Sequence, residues 1–154
     1  MAEFRSPIVG PRSREGDLVR LEDESGIALA RRFDGEAAPG TARRHGGRIE
    51  WSVSPGEWTV AGDGPGDVDL THVRAVLRVS GIQARRLLEY VCALDLSDDV
   101  FPDGAAARTL VAGVTTEIVR DDRGGDPSYL VIPSRSFAGY LWAALVDAGA
   151  EFRL

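Results

Sequence analysis

The 154-residue sequence contains no lysine and no asparagine, and it has only one cysteine and two histidines. All 18 basic residues are therefore arginine. Without lysine, the chain cannot form a Schiff base, anchor pyridoxal phosphate or supply the lysine of a Walker phosphate loop. The single cysteine, Cys92, cannot form an internal disulfide, which is typical of a reducing compartment. These absences exclude several enzyme classes at the outset.

The composition is acidic, with a net charge of -6 and a pI near 4.9. We expect no nucleic-acid partner, because phosphate binding requires a basic surface, and no docking on an anionic membrane. The first 17 residues lack the apolar segment of a signal peptide, and no apolar run approaches the ~20 residues that span a bilayer. These features predict a cytoplasmic protein that binds neither nucleic acid nor membrane.

The chain divides into two parts by composition. Residues 1–47 combine Pro7, Pro11 and Pro39 with dense mixed charge and a weak apolar pattern. This part is predicted to be an extended or partly disordered arm that forms at most one short strand or helix. Residues 48–154 carry regular apolar patterns and are predicted to form the folded domain.

The pattern after residue 48 predicts strands interleaved with two amphipathic helices. We expect first a hairpin turning at 55–56 and a strand over 73–79, followed by a helix that begins with a capping box of Ser80 and Gln83. One bent strand or two separate strands are expected over 108–120, and a further strand over 129–132. The last predicted element is a helix whose apolar stripe begins at Phe137. This order predicts an α+β fold, in which two helices pack on one face of an antiparallel sheet, with a ferredoxin-like arrangement as one form.

No motif for metal or phosphate binding survives inspection. The acidic loop 95–106 places Asp95 at the first position of a calcium loop, but Val100 replaces the required glycine and Ala106 the bidentate glutamate. His45, His72 and Cys92 lie in separate segments, unlike the paired ligands of zinc sites. The glycine-rich stretch 62–67 precedes a predicted strand instead of a helix, so it cannot form a dinucleotide loop.

The other residues whose side chains could serve in a binding or catalytic site also have ordinary structural explanations. Asp69 and His72 are predicted as a structural pair, and Cys92 as a small buried hydrophobe. The tryptophans at 51, 58 and 142 are expected in a core or interface more readily than in a binding platform. The arginine pairs 43–44 and 85–86 are expected to form surface ion pairs. We therefore predict no catalytic, cofactor-binding or metal-binding residue in this chain.

Four stretches resemble the gamma subunit family of heterotetrameric sarcosine oxidase. They are the turn PGEW at 55–58, VDLTHVRAVLRVSG at 68–81, CALDLSDDVFPDGAAARTLVAGV at 92–114 and RSFAGYLWAALVDAGAEF at 135–152. Any one of these stretches alone would be weak evidence of the resemblance, whereas their combination is specific to the family. Residues 1–47 show no such resemblance.

The resemblance implies a fold similar to the folate-binding domain of glycine cleavage T-protein. It also implies a non-catalytic subunit that packs against a larger alpha subunit, in a complex with a beta subunit and a small delta subunit. Those partners are expected to hold FAD, FMN, NAD and tetrahydrofolate, and to oxidise sarcosine or a related N-methyl amine.

Two alternatives remain open at this stage. One is a stand-alone folate-binding, aminomethyltransferase-like protein, in which Asp69 or Glu117 would hold the pterin ring. The other is an adaptor domain outside any oxidase. If the subunit hypothesis is correct, the aromatic residues Trp58, Phe101, Tyr140 and Trp142 are candidates for the subunit interface.

Overall fold

The computed structural model describes residues 3–34, 36–64 and 66–154, which form two antiparallel sheets and a layer of helices. The six-stranded sheet has the order β1-β2-β8-β11-β10-β9. Its strands are β1 (Ser13–Gly16), β2 (Val19–Asp23), β8 (Leu77–Ser80), β9 (Ala106–Val111), β10 (Val114–Arg120) and β11 (Ser128–Pro133).

The second sheet has five strands in the order β4-β5-β6-β3-β7. They are β3 (Leu29–Phe33), β4 (Thr41–His45), β5 (Arg48–Ser54), β6 (Glu57–Ala61) and β7 (Val68–Asp69). The two sheets are joined at one edge, where Thr41 of β4 bridges to Ala105 immediately before β9. They therefore enclose a common interior.

Two short helices, α1 (Ala84–Glu89) and α2 (Ala138–Ala148), cover the other face of the six-stranded sheet, and 3₁₀ turns flank α2. The side chains on β8 and β11 alternate between the two sides of this sheet. One apolar core lies between this sheet and the helices and includes Leu77, Val79, Tyr129 and Val131. Leu130 belongs to a smaller core between the two sheets. None of the helices in the described ranges is long and apolar enough to cross a membrane.

The predicted α+β class, with both helices on one face of an antiparallel sheet, is confirmed. The hairpin turning at 55–56 and two separate strands on either side of Gly113 are also found. The ferredoxin-like form does not occur, because β9, β10 and β11 are direct neighbours and no strand follows α2 in the described chain.

The expectation of an extended arm with at most one short strand or helix over 1–47 is wrong, because this part of the chain contains the four strands β1 to β4. Strand β2 pairs with β8 through Leu21 and Val79, and β3 pairs with β6. These partners lie far away in sequence, so a local apolar pattern gave no sign of the pairing. The β5–β6 hairpin of the second sheet was predicted, but the other strands of that sheet were missed for the same reason.

Three local predictions also need correction. The backbone around Val73 is a turn, and β8 begins only at Leu77. No side chain caps α1, since Gln83 occupies the N-cap position without a side-chain hydrogen bond, so Ser80 and Gln83 form no capping box. Phe137 is 51% exposed, and Trp142 is buried on α2 instead.

Candidate functional site

The histidines and the cysteine are not brought together. His45 is exposed at the end of β4, and His72 is exposed in the turn before β8. Cys92 is buried in the helix-side core, as its position in the apolar pattern predicts. Within the described ranges, no three His, Cys, Asp or Glu side chains are grouped in a way that could hold a metal ion.

Asp69 and His72 each have a local structural contact. The Asp69 carboxylate accepts a hydrogen bond from the Thr71 backbone N–H at 2.9 Å. Hydrogen bonding from Thr71 lowers the pKa of Asp69 below its ordinary value, with a smaller contribution from His72. The His72 ring lies 5.5 Å from the ring of Phe4, centroid to centroid. Asp69 and His72 therefore both have contacts that hold the turn, and they would have to give up these contacts to act as a catalytic pair.

The acidic loop after Asp95 is tied to the protein. Asp95 accepts a hydrogen bond from the Ser97 backbone N–H at 2.9 Å, and Asp98 accepts one from Arg120 at 2.6 Å. The hydrogen bond from Arg120 lowers the pKa of Asp98. These carboxylates take part in the hydrogen bonds that hold the loop.

Gly64 and Gly66 of the glycine-rich stretch lie close to the second sheet, where there is no room for a side chain, and Pro65 between them lies outside the described residues. A Cβ atom at Gly64 would lie 2.8 Å from a guanidinium nitrogen of Arg48, and one at Gly66 would overlap the side chain of Ala30. Small residues are required here because the loop crosses close to the sheet. Gly64 and Gly66 therefore have a structural explanation, which is the close approach of their backbone to Arg48 and Ala30.

The tryptophans occupy separate places. Trp51 lies in the inter-sheet core, Trp142 lies in the helix-side core, and the ring of Trp58 is covered by the guanidinium group of Arg43 at 4.2 Å. They form no common platform. Phe101 is also buried in the helix-side core. Of the four aromatic residues proposed for an interface, only Tyr140 is exposed, at 59%.

Glu117, one of the two proposed pterin ligands, is buried and already bound by the protein. Its carboxylate accepts hydrogen bonds from the indole of Trp51 at 2.8 Å and from Arg108 at 3.1 Å, and Arg31 lies 3.8 Å away. A pterin ring would need these acceptor positions. The geometry therefore makes Glu117 an inter-sheet connector and speaks against a folate site built on it.

The arginine pairs are split between surface and interior roles. Arg85 and Arg86 form the expected exposed ion pairs with Glu89 and Glu151, at 3.3 and 3.4 Å. In contrast, Arg43 and Arg44 each bind a buried carboxylate. The sequence interpretation was right for the first pair. Arg44 also forms an exposed ion pair with Asp103 at 3.4 Å, but the contacts of Arg43 and Arg44 with buried carboxylates were not predicted.

A first buried cluster that the sequence pattern did not reveal is centred on Glu50. Its side chain is 1% exposed and contacts Arg43 at 2.9 Å, Arg32 at 3.2 Å and Arg48 at 3.3 Å. Burial opposes ionisation of Glu50, but the hydrogen bonds from Arg43 and Arg32 outweigh it and hold the pKa below its ordinary value. The only sequence signal is a lone charge between Ile49 and Trp51.

A second buried cluster is centred on Arg78, whose side chain is 2% exposed. Arg78 donates to Glu24 at 2.7 Å and to the Ser128 hydroxyl at 2.7 Å, and it lies 2.9 Å from Asp121. Asp121 also pairs with Arg44 of the second sheet. The cluster therefore links the two sheets. Its sequence signal is an arginine between Leu77 and Val79, whose alternation was predicted but whose burial was not.

Residues 66–151 match the family model described as the sarcosine oxidase gamma subunit family. The match covers more than half of the chain. The chain belongs to this family. The matched range begins at the glycine-rich stretch and includes both helices together with β8 to β11, so it contains Arg78 and Glu117 but not Glu50.

One curated relative and one solved structure are similar to this gamma-family chain. The sarcosine oxidase subunit gamma of Corynebacterium sp. strain P-1 is 35% identical over 92 residues, which are 59% of this chain and 44% of that protein. The chain thus aligns with less than half of that relative. The structure of heterotetrameric sarcosine oxidase from Corynebacterium sp. U-96, in complex with pyrrole 2-carboxylate, contains a chain with the same fold, at a TM-score of 0.79 and 22% identity over 98% of this chain and 97% of that chain.

Proposed function

We propose that this chain is a non-catalytic structural subunit of a sarcosine-oxidase-like flavoenzyme complex. The observation that carries this proposal is the family match over residues 66–151. The shared fold of the chain in the heterotetrameric enzyme supports it, because that fold extends over nearly the whole chain.

The side-chain geometry is consistent with a structural role. Three residues have side chains of a type that enzymes use in catalysis. Glu117 is held by a hydrogen-bond network, Asp69 by a turn and Cys92 by an apolar core. An acid or base in catalysis must be able to exchange protons with a substrate, which these contacts oppose. The proposal therefore assigns the chemistry to other subunits.

In the proposed complex, larger alpha and beta subunits and a small delta subunit surround this chain in the cytoplasm. Those subunits carry FAD, FMN, NAD and tetrahydrofolate. The complex oxidatively demethylates sarcosine or a related N-methyl amine and transfers the one-carbon unit to tetrahydrofolate. The acidic net charge of this chain is consistent with a protein partner instead of nucleic acid.

A permanent subunit of this kind needs a large interface, on the order of 2,000 Å² or more. Tyr140 is the aromatic candidate that remains accessible, and Phe137 is exposed on the 3₁₀ turn just before it. We propose that these two rings take part in the interface. Aromatic residues are enriched in such contacts because they bury a large apolar area.

The test is a gentle affinity purification of the tagged full chain from its native host, followed by an absorption spectrum and the masses of the partners. A yellow complex with two or more larger chains is the expected result. A colourless, well-folded monomer would overturn the proposal. Titration of that monomer with tetrahydrofolate would then separate the folate-binding alternative from an adaptor outside any oxidase.

A further inference from the structure

A cavity of about 400 Å³ opens between the two sheets, next to the Arg78 cluster. Its apolar side is formed by Ile49, Ala61, Val76 and Leu130, which are the end of the inter-sheet core. The volume is within the range of pockets that hold small organic ligands. We refer to it as the inter-sheet cavity.

The polar side of the inter-sheet cavity is rich in guanidinium groups. Arg44, Arg48, Arg78 and Arg123 line it together with three carboxylates, so the lining carries one excess positive charge in a chain whose net charge is -6. An apolar wall opposite a positive wall is complementary to an anion with an apolar body. The positive charge of this lining thus attracts anions, whereas the negative net charge of the whole chain would attract cations.

Two of these arginines have hydrogen-bond donors to spare. The ion pairs of Arg123 with Glu24 and Asp121 are 3.5 and 3.6 Å long, beyond a good hydrogen bond, and the Arg123 side chain is 59% exposed. The Nε atom of Arg48 is buried and has no hydrogen-bond partner among the described residues. Arg78, in contrast, is fully engaged and holds the wall rigid.

We propose that the inter-sheet cavity binds a carboxylate attached to a small apolar body. Arg123 provides the main contact, because a guanidinium group forms paired, charge-assisted hydrogen bonds with a carboxylate. The carboxylate comes from a free organic acid or from a side chain of a partner subunit. This site goes beyond the proposed structural function and does not depend on it.

The first experiment titrates the isolated full chain with benzoate and, as a neutral match of the same shape, with benzamide. We expect benzoate to bind with a dissociation constant on the order of 1 mM and to shift the amide NMR signals of Gly46, Gly47 and Ala61. Benzamide is expected to bind about ten-fold more weakly, since it lacks the charge.

The matched variants are Arg123→Gln and Arg86→Gln. Both arginine side chains are 59% exposed in ion pairs, but Arg86 is on α1, on the opposite side of the six-stranded sheet from the inter-sheet core. Arg123→Gln is expected to weaken benzoate binding about ten-fold, and Arg86→Gln to leave it unchanged within about two-fold. Thermal melting of both variants checks that each one is folded.

The second experiment separates the two sources of the carboxylate by using the complex purified from the native host. If a partner side chain fills the cavity, Arg123→Gln weakens assembly, and the assembled chain no longer binds benzoate. If the ligand is a free acid, assembly is unaffected and benzoate still binds. The proposal is overturned if the isolated chain does not distinguish benzoate from benzamide and Arg123→Gln assembles like the wild type. Failure of the wild-type chain to assemble would concern only the proposed function.

Discussion

The two faces of the six-stranded sheet are covered in different ways. On the helix side, Leu87, Leu141 and Leu145 form part of a large apolar core that is filled by side chains alone. On the side of the second sheet, a smaller apolar core is bordered by buried charges at Arg78 and Glu117. One face of the sheet thus buries a large apolar core, and the other buries a smaller apolar core together with paired charges.

These two kinds of burial respond differently to change. Removal of apolar atoms costs the transfer free energy and leaves a cavity. Removal of one partner from a buried ion pair leaves the other charge without compensation, which is often more costly. The comparison therefore predicts distinct effects of substitution and of pH in the two regions.

The largest effect is expected for Arg78→Met. This change keeps the unbranched apolar stem of the side chain but removes the guanidinium group, so that Glu24 and Asp121 lose their closest buried partner, and it should lower the free energy of unfolding by about 3–5 kcal/mol. Urea denaturation measures the change. Arg85→Met on the helix surface, where the Arg85 side chain is 45% exposed, is the control and should cost less than about 0.5 kcal/mol. Similar values for both variants would show that the Arg78 cluster is dispensable.

The next effect compares the same truncation in the two cores. Leu87→Ala is expected to cost about 2–5 kcal/mol, because Leu87 is fully buried among side chains of the helix layer. Leu130→Ala should fall at the lower end of that range, since Leu130 borders the inter-sheet cavity and its removal enlarges an open space instead of creating a sealed one. A greater loss for Leu130→Ala would contradict this view of the inter-sheet side.

A smaller effect concerns the turn that leads into α1. Gly81 has a φ of +112°, and a Cβ atom there would collide with the backbone carbonyl of Leu18. Gly81→Ala should therefore cost about 2–3 kcal/mol, more than Gly113→Ala, which shares a positive φ but has open space and should cost about 1 kcal/mol. Thermal melting distinguishes the two variants. Equal losses would mean that the strand preceding α1 does not approach Leu18 closely.

The smallest effect concerns the way in which acid changes the stability of the second sheet. Because the folded-state pKa of Glu50 lies below its ordinary value of 4.5, this carboxylate stabilises the fold above that pH, and the stabilisation is lost as the pH falls through the folded pKa. The side-chain carboxyl signal of Glu50, followed by NMR from pH 6 to pH 2, should titrate below 4.5. In Arg43→Gln its midpoint should rise, since one of the hydrogen bonds that lower it is gone. A midpoint unchanged by this substitution would contradict the assigned cause.

Much of the local structure follows from short-range patterns. Pro55 and Gly56 specify a turn, Gly113 separates two strands, and the apolar spacing of α2 marks a buried face. Each signal lies within a few residues, where backbone geometry and side-chain alternation act directly. The α+β class could be predicted for this reason.

The strands between Ser13 and His45 could not be predicted in the same way. Their residues are largely charged, and their stability comes from partners such as β8 and β6 that lie elsewhere in the sequence. The resemblance to the gamma family also began after this region. Apart from the β5–β6 hairpin, the second sheet therefore became visible only in three dimensions.

The sequence by itself determined which residue types the chain lacks and, on β8, which apolar side chains share a face. The absence of lysine excluded the sites that need its amine, and the separation of His45, His72 and Cys92 along the sequence predicted no zinc site. Only the tertiary structure decided that Arg78 and Glu50 are buried. Alternation along a strand tells which side chains share a face, but burial depends on what other segment covers that face, and this is set by long-range pairing.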